Sequence, residues 1–139
     1  MRLKNTGRTV VFYKSRQGFH LCFSILSIIY IAGIFILPRV IPGSIISKIW
    51  NPFSILHIPM YGVLMLLLTL SFWPDLSLPK SGLPIFSPLW FPAAIASLVG
   101  ILDEMHQTYI PGREASTTDV MLDVLGVVLM GILIYYKTK

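Results

Sequence analysis

Apolar residues fall into four long runs along the chain, divided by short segments rich in proline and polar side chains. The first run, FHLCFSILSIIYIAGIFIL, extends from Phe19 to Leu37, and Pro38 is expected to stop it. The second opens at Asn51-Pro52, a cap residue followed by a proline suited to the first helical position, and runs to about Trp73. Pro59 inside it predicts a kink that frees the Ile55 carbonyl. Ser87-Pro88 repeats the cap-and-proline start, so the third run covers 88–108, before Ile110-Pro111-Gly112 ends it. The fourth covers 116–136, with Ser116 and Asp119 at capping-box spacing. Runs of about 18 or more apolar residues are long enough to cross a hydrocarbon core of about 30 Å. The pattern therefore predicts an all-α integral membrane bundle of four transmembrane helices, spanning about 19–37, 52–73, 88–108 and 116–136.

Composition agrees. Of 139 residues, 55% are apolar and 12% charged, against about 25% charged in ordinary soluble domains. The net charge of +5 comes from basic residues scattered around the apolar runs, with no aromatic-interleaved groove, so no nucleic-acid partner is expected. Phe19–Leu37 is too long for a signal-peptide core and lacks a small-x-small cleavage site, and it reads as a retained anchor. The single cysteine, Cys22, excludes an intrachain disulfide.

Charge also sets the expected orientation. The two ends and the middle loop hold Arg2, Lys4, Arg8, Lys14, Arg16, Lys80, Lys137 and Lys139, whereas the other two loops hold Arg39, Lys48 and Arg113. The positive-inside bias places both termini in the cytoplasm. Residues 1–18 then form a basic cytoplasmic segment and 19–139 the four-helix domain. The loop portion IISKIW is expected to lie as a short interfacial helix, with Trp50 at headgroup depth.

Five of the six acidic residues (Asp103, Glu104, Glu114, Asp119 and Asp123) stand between residues 103 and 123. Topology puts them, with His57 and Tyr61, at the extracytoplasmic end. His57 and Tyr61 are four apart, Glu104 and Gln107 three apart, Asp119 and Asp123 four apart, so each pair shares a helix face. Burying carboxylates together carries a desolvation penalty unless a cation is near. Arg113, beside the turn-forming Gly112, is the expected partner. Asp103, His106 and Glu114 are read as solvated, interfacial or loop residues. Gly126 and Gly131 read as packing positions.

HIPMY in the second run, DEMHQTYIPGR at the end of the third and STTDVMLDVLG in the fourth resemble the VanZ-like family of small bacterial membrane proteins. The resemblance covers about residues 51–131. It rests on His57 and Tyr61, on Glu104 and Gln107, on Pro111 or Gly112 with Arg113, and on Asp119 and Gly126; Asp123 departs from it, where the family more often has Asn. It implies a membrane protein connected with low-level resistance to the glycopeptide teicoplanin, and no particular reaction.

Three function classes remain open. The first is an outward pocket of His57, Tyr61, Glu104, Gln107, Arg113, Asp119 and Asp123 that binds or modifies a lipid-linked envelope precursor or the glycopeptide, with Arg113 meeting phosphate or carboxylate. The second is a membrane-embedded enzyme using His57 and Glu104 as acid and base, or a divalent metal held by the carboxylates and His57. The third is a small proton-coupled transporter, which with four spans would need to form a homo-oligomer. No zinc motif, nucleophile elbow or phosphate loop is present, so no metal or cofactor is assigned from sequence.

Overall fold

A computed structural model describes residues 6–40, 54–74, 76, 88–113 and 115–138. Four helices account for most of them: α1 (Thr6–Val40), α2 (His57–Phe72), α3 (Trp90–Gln107) and α4 (Thr117–Thr138), with a 3-10 turn at Ser54–Leu56 leading into α2. No strand occurs among the described residues. Gln17–Val40, Ser54–Phe72 and Thr117–Thr138 are each long and apolar enough to cross a membrane. The 18 residues of α3 end in Asp103, Glu104, His106 and Gln107, which lowers its apolarity below that of the other three.

Proline positions explain where the helices begin. Pro59 is the third residue of α2 and Pro92 the third of α3. The first four N–H groups of a helix have no partner within it, so a proline there costs no ladder bond. The expected kink at Pro59 is thus replaced by a helix start. The 3-10 turn restores the length, since three residues at about 2.0 Å and sixteen at about 1.5 Å rise give roughly 30 Å. Pro38 does not stop α1, which continues to Val40; in the last turn the missing N–H removes a single ladder bond. Helix α1 already begins at Thr6, running from the basic segment into the first apolar run without a break. Asn51-Pro52, the IISKIW segment with Trp50, Ser87 and Glu114 lie outside the described residues.

Helix α2 is central, touching the other three and packing most closely on α4. It contributes Tyr61, Leu64, Met65 and Leu68 to a core completed by Ile34, Ala96, Val99, Val127 and Ile134. Helix α1 runs antiparallel to α2: Tyr30 Oη donates to the Met60 carbonyl at 3.0 Å near one end, while His20 Nδ1 and Ser24 Oγ meet Ser71 near the other. Its far side exposes Leu21, Ile28 and Ile29, as expected of a surface solvated by lipid.

Glycines permit the tightest crossing. A methyl group at Gly126 would collide with the Ile58 backbone carbonyl, so α4 passes directly over the start of α2. This contact carries Asp123, one turn earlier on α4, to the first residue of α2.

Candidate functional site

Three helix faces build the site. On α3, Gly100, Asp103, Glu104 and Gln107 follow i, i+3, i+4, i+7 spacing, which places them on one line, and all four are buried. Asp123 comes from the second turn of α4, and His57 with Tyr61 from the first two turns of α2.

His57 Nδ1 donates to Asp123 Oδ1 at 2.7 Å, a pair between the start of α2 and the start of α4. Asp123 is 0% exposed. Its carboxylate fits because residue 100 has no side chain: a methyl at Gly100 would stand 2.7 Å from Asp123 Oδ2 and 3.1 Å from its Cβ. The Tyr61 ring lies nearly parallel to the His57 imidazole, with centroids 6.3 Å apart.

Glu104 closes the other side. Its Oε2 accepts the Ser116 N–H at 2.8 Å and its Oε1 accepts from Gln107 Nε2 at 3.1 Å. Gln107 Nε2 also donates to Asp103 Oδ2 at 3.2 Å, so one amide bridges two carboxylates. Ser116 Oγ in turn accepts the Asp119 N–H at 3.2 Å. The expected cap of α4 is therefore present in half: Ser116 serves the third helical N–H, but the reciprocal acceptor for the Ser116 N–H is Glu104 from α3 rather than Asp119. Asp119 is half-buried in the first turn of α4 and contributes its backbone to this cap.

Several polar atoms at and around this centre are left over. Tyr61 Oη, Asp103 Oδ1, Asp123 Oδ2, Arg113 Nε and His106 Nδ1 are buried and have no hydrogen-bond partner among the described residues. Unmatched buried groups of this kind cost about 1–3 kcal/mol each, which marks places where water or a ligand completes a structure. One ligand atom from each of His57, Glu104 and Asp123 lies within 4.8 Å of the other two. The arrangement can pass a proton between imidazole and carboxylate or hold a cation, and it contains no nucleophilic thiol.

Arg113, the expected partner of the acids, reaches Asp103 only through space. Its Nη2 approaches the Pro38 carbonyl at 3.5 Å, and no ion pair joins it to an acid among the described residues. Arg39, the neighbour of Pro38, donates to His106 Nε2 at 2.8 Å, and the Phe35 ring meets His106 edge-on at 5.4 Å. An arginine donor requires an unprotonated Nε2, so the His106 ring proton sits on Nδ1. Two arginines thus dock the end of α1 onto the α3–α4 turn. Gly112 in that turn has φ +79°, the conformation expected from its position beside Pro111.

The structure brings together His57, Tyr61, Glu104, Gln107 and Asp123, with Asp119 at the rim. It adds Asp103, which is 1% exposed and so is no solvated interfacial residue. The signal was present: Asp103 stands four before Gln107 and three after Gly100, on the face the site uses. His106 turns to α1, away from the centre.

A family model described as VanZ/LLP1 matches residues 8–138, nearly the whole chain. No curated protein and no solved structure matches it.

Proposed function

The chain belongs to the VanZ/LLP1 family, and from that premise we propose a four-span plasma-membrane protein whose polar centre binds the head region of a lipid-linked cell-envelope component. In this reading α3 is the third span, both termini are cytoplasmic and the centre lies at the extracytoplasmic end. At 18 residues α3 is about 27 Å long, and its carboxylates face the other helices instead of lipid.

The observation that carries the proposal is the set of unmatched buried atoms, Tyr61 Oη, Asp103 Oδ1 and Asp123 Oδ2, on residues drawn from three helices. A polar ligand would satisfy them. A cavity of about 470 Å³ lies between α2, α3 and α4, lined by Met65, Leu89, Trp90, Val127 and Gly131 among others. Val127 is one turn from Asp123, and Trp90 and Ile132 at this cavity are exposed on the bundle's outer side. An apolar groove that starts one turn from Asp123 and runs toward the other end of the bundle, to Trp90 and Tyr136, suits the chain of a lipid-linked molecule better than a free glycopeptide. In this reading the Arg113 guanidinium, which rests near the Pro38 carbonyl in the turn after α3, would turn to the phosphate or carboxylate of that head.

A second reading is favoured by the His57–Asp123 pair with Glu104 nearby. Oriented imidazole and a second carboxylate are what acid-base chemistry on such a ligand requires.

Expressing wild type, Glu104→Gln and Arg113→Ala in a susceptible Gram-positive host tests the envelope role. Wild type is expected to reduce teicoplanin susceptibility and both variants to lose most of that protection. If all three match empty vector, the resistance reading fails.

A further inference from the structure

We propose that His57, Glu104 and Asp123 hold one divalent cation of the manganese or zinc class, with Asp103 beside it as a further carboxylate. The proposal rests on the polar centre described above and names a ligand for it, separate from any envelope molecule.

Geometry is the first argument. The three candidate ligand atoms lie within 4.8 Å of one another. Two neighbouring ligands at about 2.1 Å from a six-coordinate ion are about 3 Å apart, and two opposite ones about 4.2 Å. The group fits with small side-chain adjustment in which the ion takes the place of the proton that joins His57 Nδ1 to Asp123 Oδ1 at 2.7 Å, the neutral ring then carrying its proton on Nε2. The ligands project from α2, α3 and α4, which the Gly126–Ile58 crossing holds in contact.

Charge is the second. Asp103, Glu104 and Asp123 are all buried, and among the described residues the one ion pair made by any of them is that of Asp123 with His57. Burial of an uncompensated ion costs several kcal/mol. Arg113, expected to offset the cluster, acts on Asp103 through space but makes no ion pair with any of the three among the described residues, its Nη2 lying 3.5 Å from the Pro38 carbonyl. A divalent ion would supply the missing positive charge.

Unused acceptors are the third and are independent of the cluster's composition. Asp123 Oδ2, Asp103 Oδ1 and Tyr61 Oη belong to residues at most 1% exposed, and none has a hydrogen-bond partner among the described residues.

Ligand type selects the ion. An imidazole with carboxylate oxygens suits manganese, iron or zinc, whereas calcium takes six to eight oxygens and magnesium retains much of its water. No thiol takes part, since Cys22 is exposed on α1, which argues against soft monovalent copper.

The test uses tag-free full-length protein in detergent, stripped with EDTA and dialysed against Mn²⁺ or Zn²⁺, with bound metal measured by mass spectrometry and unfolding followed by tryptophan fluorescence. Wild type and His106→Gln are expected to bind about one equivalent and unfold at higher temperature with metal. Asp123→Asn and Glu104→Gln should each bind at least about 10-fold more weakly. Wild type that binds neither ion overturns the site, whatever the variants do, and so does undiminished affinity in both carboxylate variants. Metal binding without teicoplanin protection keeps the site and removes the resistance reading; protection without metal binding does the reverse.

Discussion

Glu104 Oε2 accepts the Ser116 N–H at 2.8 Å, so the last turn of α3 supplies the acceptor that completes the start of α4. The bond joins two helix ends across the turn that carries Arg113, and it commits Glu104 to a structural duty as well as to the polar centre. Glu104→Ala removes that acceptor and also strands Gln107 Nε2. It should cost about 2–3 kcal/mol, whereas Glu104→Gln, whose amide oxygen can still accept, should cost about 1 kcal/mol or less. Unfolding of detergent-solubilised protein in SDS or heat measures this, and equal losses for both substitutions would count against the cap.

The two glycines of α4 should respond oppositely. Gly126→Ala sets a methyl against the Ile58 carbonyl, forcing the helices apart at a cost of about 1–3 kcal/mol. At Gly131 the nearest atom to a new Cβ is the flexible Met65 Cε at 3.6 Å, an ordinary contact, so Gly131→Ala should be neutral or stabilise by up to about 1 kcal/mol through helix propensity. The same unfolding assay separates them, and a stable Gly126→Ala variant would refute the close crossing.

His57 and Asp123 should be energetically coupled. In a cycle of His57→Ala, Asp123→Asn and the double variant, the interaction term is expected to exceed about 1 kcal/mol. Additive single effects would show that the 2.7 Å pair contributes no stability. Gly100→Ala should mimic part of the loss, because its methyl crowds Asp123 Oδ2 and would turn the carboxylate away from His57.

Tyr109, 82% exposed on the α3–α4 turn, suits a topology test better than Gly112, whose positive φ penalises a cysteine. In a Cys22→Ala background, Tyr109→Cys should react with a membrane-impermeant maleimide in intact cells. Labelling only after permeabilisation would reverse the orientation and place the polar centre at the cytoplasmic face.

Much of the molecule was legible in local pattern. Apolar run length set the number and type of helices, since a segment in hydrocarbon has to satisfy its own backbone and does so as a helix. The i+3 and i+4 spacings of His57–Tyr61, Glu104–Gln107 and Asp119–Asp123 put each pair on one face, because that spacing is a property of the helix alone. Gly112 and the Ser116 cap were readable for the same reason.

What tertiary structure decided depends on distances between helices, which no local spacing encodes. Asp103 and Glu104 are adjacent carboxylates, and both became buried because α4 leans on α3 through Gly100 and on α2 through Gly126. Arg113 and the acids looked like natural partners by charge and proximity in sequence, yet the end of α1, which the sequence separates from Arg113 by two whole helices, offers it the Pro38 carbonyl. The pairing of His57 with Asp123 likewise spans 66 residues: the sequence by itself determined that both sit near one end of their helices, and only the glycine-lined crossing determined that they touch.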